Sequence, residues 1–355
     1  MHTHYFPVAV EDFAATTGDP RWPSLAINPD GTARIMRGPD VFRPVAATCW
    51  DLTRRAEAMD AQGIDHHVLS PVPVMLTTWA DPALAARYAR IQNEAFAAAV
   101  ASGPRGRFSW IGTVPLQDGD RAATELDYCV NNLGMTGVEI GSEVAGRELD
   151  DPSLAPFFAA AEALDVAVFI HPTDGAGAIR RGGVPYEFAI GMLTDTAMAV
   201  TALVFGGVLD AHPNLRVGLA HGCGTFPWAY PRIARGATLG SGATSPDHVL
   251  AHADQLLRRL WVDTLVFDPS HVPLLIERFG VDHLMLGSDF PFYPPSFGHA
   301  LDVIDASVAC GHCTPAEGAG MCGANAEVFL RVPGTVTATG RSADAAAPTA
   351  IGGGA

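Results

Sequence analysis

Short apolar runs alternate with longer amphipathic stretches along most of this chain, and the alternation becomes regular from Asp51 onward. Asp51 is placed to cap a helix running through Gln62, with Gly63 as its stop. A β-rich run follows at Ile64–Val72. An alanine-rich helix over Asp81–Ala101 precedes a strand at Phe108–Pro115, and a helix near Asp120–Asn132 precedes one at Gly137–Gly141. Helices at Pro152–Leu164 and Thr194–Ala211 precede strands at Val166–His171 and Leu215–His221. The strand Leu260–Leu265, the helix Pro269–Phe279 and the strand His283–Asp289 complete the series.

The chain opens on a further strand, Met1-His2-Thr3-His4-Tyr5-Phe6-Pro7, which brings the strands to eight. The interior ones are apolar and not strictly alternating, as parallel strands buried on both faces are. Eight such units in 355 residues predict an α/β fold, a (β/α)8 TIM barrel distorted by a small β-rich insertion after the first strand. A doubly wound open sheet is the alternative, but no Gly-x-Gly-x-x-Gly turn follows the first strand. The insertion, residues 8–49, is rich in Pro, Gly, Asp and Arg. Within it Asn28-Pro29-Asp30-Gly31, between candidate strands Ser24–Asn28 and Thr32–Met36, fits a β-hairpin. The barrel domain is expected to cover 1–332, and 333–355, nearly devoid of large apolar residues, to form a disordered C-terminal tail.

A hydrophobic content of 48% with 17% charged residues describes a folded chain with a sizeable core. The formal net charge of −16 argues against a nucleic-acid surface and against docking on an anionic membrane. The start lacks the basic and apolar regions of a secretory signal, and no stretch is expected to span a bilayer, although Ala189–Leu209 is quite apolar. The expectation is a cytoplasmic protein with Cys49, Cys129, Cys223, Cys310, Cys313 and Cys322 as reduced thiols.

In a barrel, functional side chains gather at the C-terminal ends of the strands. His2 and His4, two apart on a strand, share a face. The fifth strand ends in Phe169-Ile170-His171-Pro172, the sixth in Leu219-Ala220-His221-Gly222, the eighth in Leu286-Gly287-Ser288-Asp289-Phe290-Pro291. Neutral imidazoles and a carboxylate suit zinc or a similar first-row ion, which in a catalytic site keeps a position open for water with a pKa of about 7. A further histidine beside that water can shuttle a proton. Any one of these histidines is as readily a loop-bonded or capping residue. Their coincidence at matching strand ends is what favours a metal site.

These motifs resemble the amidohydrolase superfamily, and within it the metal-dependent non-oxidative decarboxylases. Further stretches are similar to aminocarboxymuconate-semialdehyde decarboxylases: Phe42-Arg43-Pro44-Val45, Met59-Asp60-Ala61-Gln62-Gly63-Ile64-Asp65, Pro73-Val74-Met75, Val114-Pro115-Leu116-Gln117-Asp118 and Leu149-Asp150-Asp151-Pro152. The resemblance runs from residue 1 to about Leu330. It implies that His2, His4, His171 and Asp289 bind the metal, usually zinc, with another divalent ion such as manganese as the alternative. It implies that His221 stays unligated as the catalytic acid/base on the metal-bound water, with Asp289 in the same machinery. Arg43 would meet the carboxylate of a small substrate, and Arg232, eleven residues after His221, would reach the active site of a neighbouring subunit in a homodimer. Guanidinium groups grip carboxylates in bidentate fashion and stay charged; without the resemblance, both arginines read as ordinary surface residues. The implied reaction is loss of carbon dioxide from a small unsaturated or aromatic acid. A hydrolase or hydratase acting on a lactone, amide or enol acid is the alternative on the same scaffold. A barrel that merely binds metal is a third reading, against which the unligated His221 argues.

Departures fall on the substrate side. Thr173 stands where those decarboxylases carry tryptophan, the loop Asp174–Tyr186 is rich in Gly and Ala and holds Arg180 and Arg181, and Phe188–Asp195 replaces a different pattern. The metal chemistry is therefore expected to be retained and the substrate to differ. With His2 so close to the start, the first strand is expected to be short, to leave an open edge and to gain from an upstream extension. Cys310-Gly311-His312-Cys313, with Cys322 nearby, is half a metal or redox motif at most. His66, His67, His212 and His283 lie away from the functional rim and read as structural.

Overall fold

The computed structural model describes residues 1–173, 179–240, 246–293 and 299–332, so the expected tail and residues 174–178 of the loop after His171 lie outside the described residues. Its strands in chain order are β1 (His2–Tyr5), β2 (Pro23–Ile27), β3 (Ala33–Arg37), β4 (Asp40–Val45), β5 (His67–Pro71), β6 (Phe108–Trp110), β7 (Gly137–Gly141), β8 (Ala167–His171), β9 (Val217–Leu219), β10 (Leu260–Asp263), β11 (Leu284–Met285) and β12 (Gly287–Phe290). Two parallel runs, β12-β1-β5-β6 and β11-β10-β9-β8-β7, form the wall. A parallel bridge between Gly112 and Val138 joins β6 to β7, and β11 continues into β12 past Leu286. The two runs thereby close into a (β/α)8 barrel, with β11 and β12 as one interrupted eighth strand.

Every residue of β5, β7, β8 and β10 is buried, because helices cover the outer face while the inner face fills the barrel. Several helix ends fall where the local signals put them. Asp51 accepts hydrogen bonds from the Thr53 and Arg54 amides at 2.9 and 3.1 Å, and Gly63 (φ +66°) closes the helix Leu52–Gln62. The expected helix Thr194–Ala211 is instead two, Met192–Phe205 and Val208–Ala211. They break at Gly206-Gly207, where Gly207 takes φ +87° and a Cβ on Gly206 would lie 2.3 Å from an Asp150 carboxylate oxygen.

Two further expectations need correction. The helical run Pro185–Phe205, 21 residues with a mean hydropathy of 1.7 over its most apolar window, is by length and composition apolar enough to cross a membrane. Its apolarity has a local cause: Thr196, Ala197, Ala199, Val200, Ala202, Leu203 and Val204 form a face buried against the barrel. The open edge expected at the first strand is not found at His2–Tyr5. Four residues suffice to pair β1 on both sides, with Gly287 and Phe290 of β12 and with Leu69, Ser70 and Pro71 of β5.

Between β1 and the helix Leu52–Gln62 lies an antiparallel sheet, β2-β3-β4. The expected hairpin is there, with Ile27 opposite Ala33. A third strand, β4, was not legible, since Pro44 interrupts it and its residues are exposed or only partly buried. It places Arg43 opposite Ile35.

Candidate metal centre and active site

Each of three imidazoles has one nitrogen tied to a fixed acceptor. The Nδ1 atoms of His2, His4 and His171 lie 2.7, 2.8 and 2.7 Å from Asp263 Oδ2, the Pro71 carbonyl and the Pro172 carbonyl. A neutral ring that donates from Nδ1 presents a lone pair at Nε2, so all three are set to offer Nε2 to a common point. His2 Nε2 and His4 Nε2 are 3.1 Å apart, and Asp289 Oδ1 lies 3.0 Å from His4 Nε2 and 3.7 Å from His2 Nε2. His171 Nε2 is buried with no hydrogen-bond partner. The ligand atoms of His2, His4, His171 and Asp289 all fall within 4.8 Å of one another, and all four residues are buried.

Lone pairs and a carboxylate this close repel unless positive charge lies among them. In the metal-free protein a proton on His4 can supply it. Burial opposes that proton, but Asp289 and Glu139 outweigh it and raise the His4 pKa above its ordinary value. A divalent cation would satisfy all four groups at once, and three nitrogens with one oxygen suit zinc or a neighbouring first-row ion. The donor set therefore fits the group expected of it.

Asp263, at the end of β10, was missed by the strand-end reading. Extending that strand to Leu265 made the carboxylate look internal, yet β10 stops at Asp263. Its Oδ1 accepts from the amides of Gly222 and Leu265 at 2.8 and 3.1 Å while Oδ2 meets His2. Burial pushes its pKa up, but the His2 bond and charge outweigh this and hold it below the carboxylate range. Gly287 belongs to the same arrangement: a Cβ there would sit 2.6 Å from that of Asp263, so only glycine lets β12 pass so close. Glu139 on β7, fully buried, is a second carboxyl the sequence reading missed. Burial raises its pKa despite the opposing pull of His4. The signal for both was a lone acid inside an otherwise apolar strand.

His221 is brought to the cluster but stands outside the ligand set. Its ring centroid is 5.2 Å from that of His2 and 5.0 Å from that of His171, and its Nδ1 is buried without a partner. Burial, then the charge of His2, push its pKa down to about 4. Its backbone has φ +57°, and Asp289 has φ +51°, a region that non-glycine residues seldom adopt and that collects at functional sites.

Arg43 is sandwiched between two rings, its guanidinium carbon 4.8 Å from the Phe188 centroid and 4.7 Å from that of Phe292. The Phe292 ring lies 5.3 Å from that of His4, which puts Arg43 one ring beyond the cluster. Arg232 is not brought to the site of its own chain; it is exposed on the helix Phe226–Gly240. The histidines set aside make structural contacts: His66 with the Gly106 carbonyl and Ser109, His67 with Arg55, His212 with Glu162 at 3.2 Å, His283 stacked on Trp261 at 4.1 Å. Cys49, Cys129, Cys223, Cys310 and Cys313 are free thiols, and no cysteine joins a metal-holding cluster among the described residues.

A closed parallel barrel with three histidines and an aspartate converging at its strand ends forms a cluster that could hold a divalent ion. The amidohydrolase family model matches residues 1–332, and the chain belongs to that family. A 2-amino-3-carboxymuconate-6-semialdehyde decarboxylase of Dictyostelium discoideum is 35% identical over 292 residues, covering 82% of this chain and 81% of the relative. Among solved structures, the apo form of the Metarhizium anisopliae IDCase superposes with a TM-score of 0.77 at 24% identity, covering 94% of this chain and 97% of the other. A 5-carboxyvanillate decarboxylase of Sphingomonas paucimobilis superposes with a TM-score of 0.69 at 27% identity, covering 81% and 85%.

Proposed function

We propose that this protein is a metal-dependent non-oxidative decarboxylase of a small aromatic or unsaturated carboxylic acid. The observation that carries the choice over hydrolysis is Arg43. Its guanidinium has no acid partner among the described residues, packs over the rings of Phe188 and Phe292, and stands one ring from the candidate metal cluster. A planar, permanently charged fork in that setting is built for a carboxylate and for the face of a conjugated substrate. The named activities of the relatives support the same reading.

His2, His4, His171 and Asp289 would hold the ion, zinc in the first instance from the N-rich donor set and manganese as the alternative. Bound there, it would supply Lewis acidity toward a substrate oxygen. Arg43 orients the carboxylate. Phe292 and Phe188 exclude water from the ring face. As the carbon–carboxylate bond breaks, its electron pair stays on carbon, carbon dioxide leaves, and a proton from solvent reaches that carbon by way of the His221 ring, which takes it up and passes it on.

The test is to load the protein with zinc or manganese and offer carboxymuconate semialdehydes, hydroxybenzoates and lactones. Absorbance and released carbon dioxide are both followed. Release of carbon dioxide from an acid in the panel, lost on Arg43→Ala, is expected. Lactone opening without any carbon dioxide release would establish the hydrolase reading instead.

The assembly proposed is a homodimer in which Arg232 reaches the neighbouring site. Trp228, 83% exposed, and Arg232 lie one helical turn apart on the same exposed face, an aromatic–arginine pair of the kind that anchors interfaces. Arg43→Ala and Arg232→Ala, each inactive alone, should regain part of the activity when unfolded and refolded together, because a mixed dimer rebuilds one complete site. An Arg232→Ala protein active alone would remove Arg232 from the site, and no recovery from two inactive variants with mixed dimers present would overturn the shared site.

A further inference from the structure

The helix Leu52–Gln62 buries Leu52, Arg55, Ala56 and Met59 along one face, the spacing of a core-facing stripe. Arg55 is the odd member: its relative exposure is 0%, at a position the helical period assigns to an apolar side chain. Burial lowers its pKa to about 10, so it remains a cation near neutral pH. Among the described residues no carboxylate pairs with it, and an unpaired buried cation is costly. Its place in the fold therefore has to come from its hydrogen bonds.

Those bonds converge on the metal strands. Nη1 donates to the carbonyls of His4 at 2.7 Å and Thr48 at 3.3 Å, and Nη2 donates to the carbonyl of Phe290 at 3.3 Å. Nε donates to His67 Nδ1 at 3.2 Å, and the guanidinium carbon lies 4.9 Å from the Phe290 ring centroid. One carbonyl belongs to a metal ligand and another to the residue following a metal ligand. The ladder between β1 and β12 is irregular at this point: His2 pairs with Gly287 and Thr3 with Phe290, so Ser288 and Asp289 are bulged out. Asp289 is also the residue with φ +51°. Sheet pairing alone does not hold its backbone.

We propose that Arg55 is a positioning residue for the metal centre, spanning the bulge from the His4 carbonyl to the Phe290 carbonyl and so setting the spacing of the His4 and Asp289 side chains. The proposal rests on the reading that these two residues ligate a divalent ion. Its chemistry calls for arginine: only a rigid fork reaches acceptors on separate strands at once, and lysine keeps the charge without the span.

Full-length wild type, Arg55→Lys, Arg55→Met and Met59→Ala are compared after loading with Co2+. The readouts are the d–d absorption spectrum, Co2+ affinity by chelator competition, and the Tm of the apo forms. Met59, also fully buried on this helix, is the control for a cavity that leaves the clamp intact. Both Arg55 variants are expected to lose on the order of 10-fold or more in Co2+ affinity and to change the d–d bands. Met59→Ala should lower the Tm yet keep wild-type affinity and spectrum. Should Arg55→Met fail to fold, Arg55→Lys carries the comparison. Arg55 variants with wild-type affinity and spectrum would overturn the proposal alone, whereas a wild type that binds no Co2+ would overturn the metal site and the proposal together.

Discussion

His221→Ala is expected to keep the divalent ion at the stoichiometry of the unmutated protein while lowering kcat by roughly 10²- to 10⁴-fold, the usual contribution of a positioned acid/base. The geometry separates the two effects. His221 presents a buried, unpartnered Nδ1 beside the cluster, while the four ligand atoms converge without it. Metal content by atomic emission and turnover on the same preparation decide the matter. Metal lost in proportion to activity would make His221 a ligand, and unchanged turnover would remove it from the chemistry.

Asp263→Asn should have the larger effect on metal binding itself. The carboxylate serves donors on both oxygens: His2 Nδ1 on one, and the Gly222 and Leu265 amides on the other. An asparagine has only one acceptor oxygen. If that oxygen faces the amides, its NH2 group meets His2 Nδ1, and the ring is driven to the tautomer that carries its proton on Nε2. His2 would then no longer offer a lone pair to the ion. If the amide is flipped, two backbone N–H groups are left facing a donor in a buried site. Either way metal affinity should fall by about 10- to 100-fold, and the apo protein should lose stability. Chelator competition and thermal unfolding measure the two separately, and an Asp263→Asn protein with native affinity would show that His2 is oriented by something else.

The barrel was legible because its two periods are strong: buried parallel strands carry mostly apolar residues without strict alternation, and the helix Leu52–Gln62 carries both its cap and its glycine stop within the local sequence. The candidate metal-site residues were legible for a related reason. Polar residues at the ends of apolar strands are conspicuous, and barrel closure carries strand ends far apart in the chain to one rim. β4 escaped because a partly buried strand with an internal proline has no clear period. Asp263 escaped because a strand end misplaced by two residues turns a rim carboxylate into an apparent core anomaly.

Residue types and their order along the chain therefore determined by themselves the fold class and the presence of a His-x-His, His, His and Asp set. Such information is local, and it survives without knowing what packs on what. Only the tertiary structure decided which nitrogen of each ring is left to face an ion, because the tautomers follow from fixed acceptors: Asp263 for His2 and the Pro71 carbonyl for His4, with Pro172 beside His171. It also set Arg43 between Phe188 and Phe292, which lie 145 and 249 residues further along the numbering (188 − 43 and 292 − 43), and drew Arg55 onto the strands of two ligands. These are contacts between distant parts of the chain, and no periodicity along a single segment encodes them.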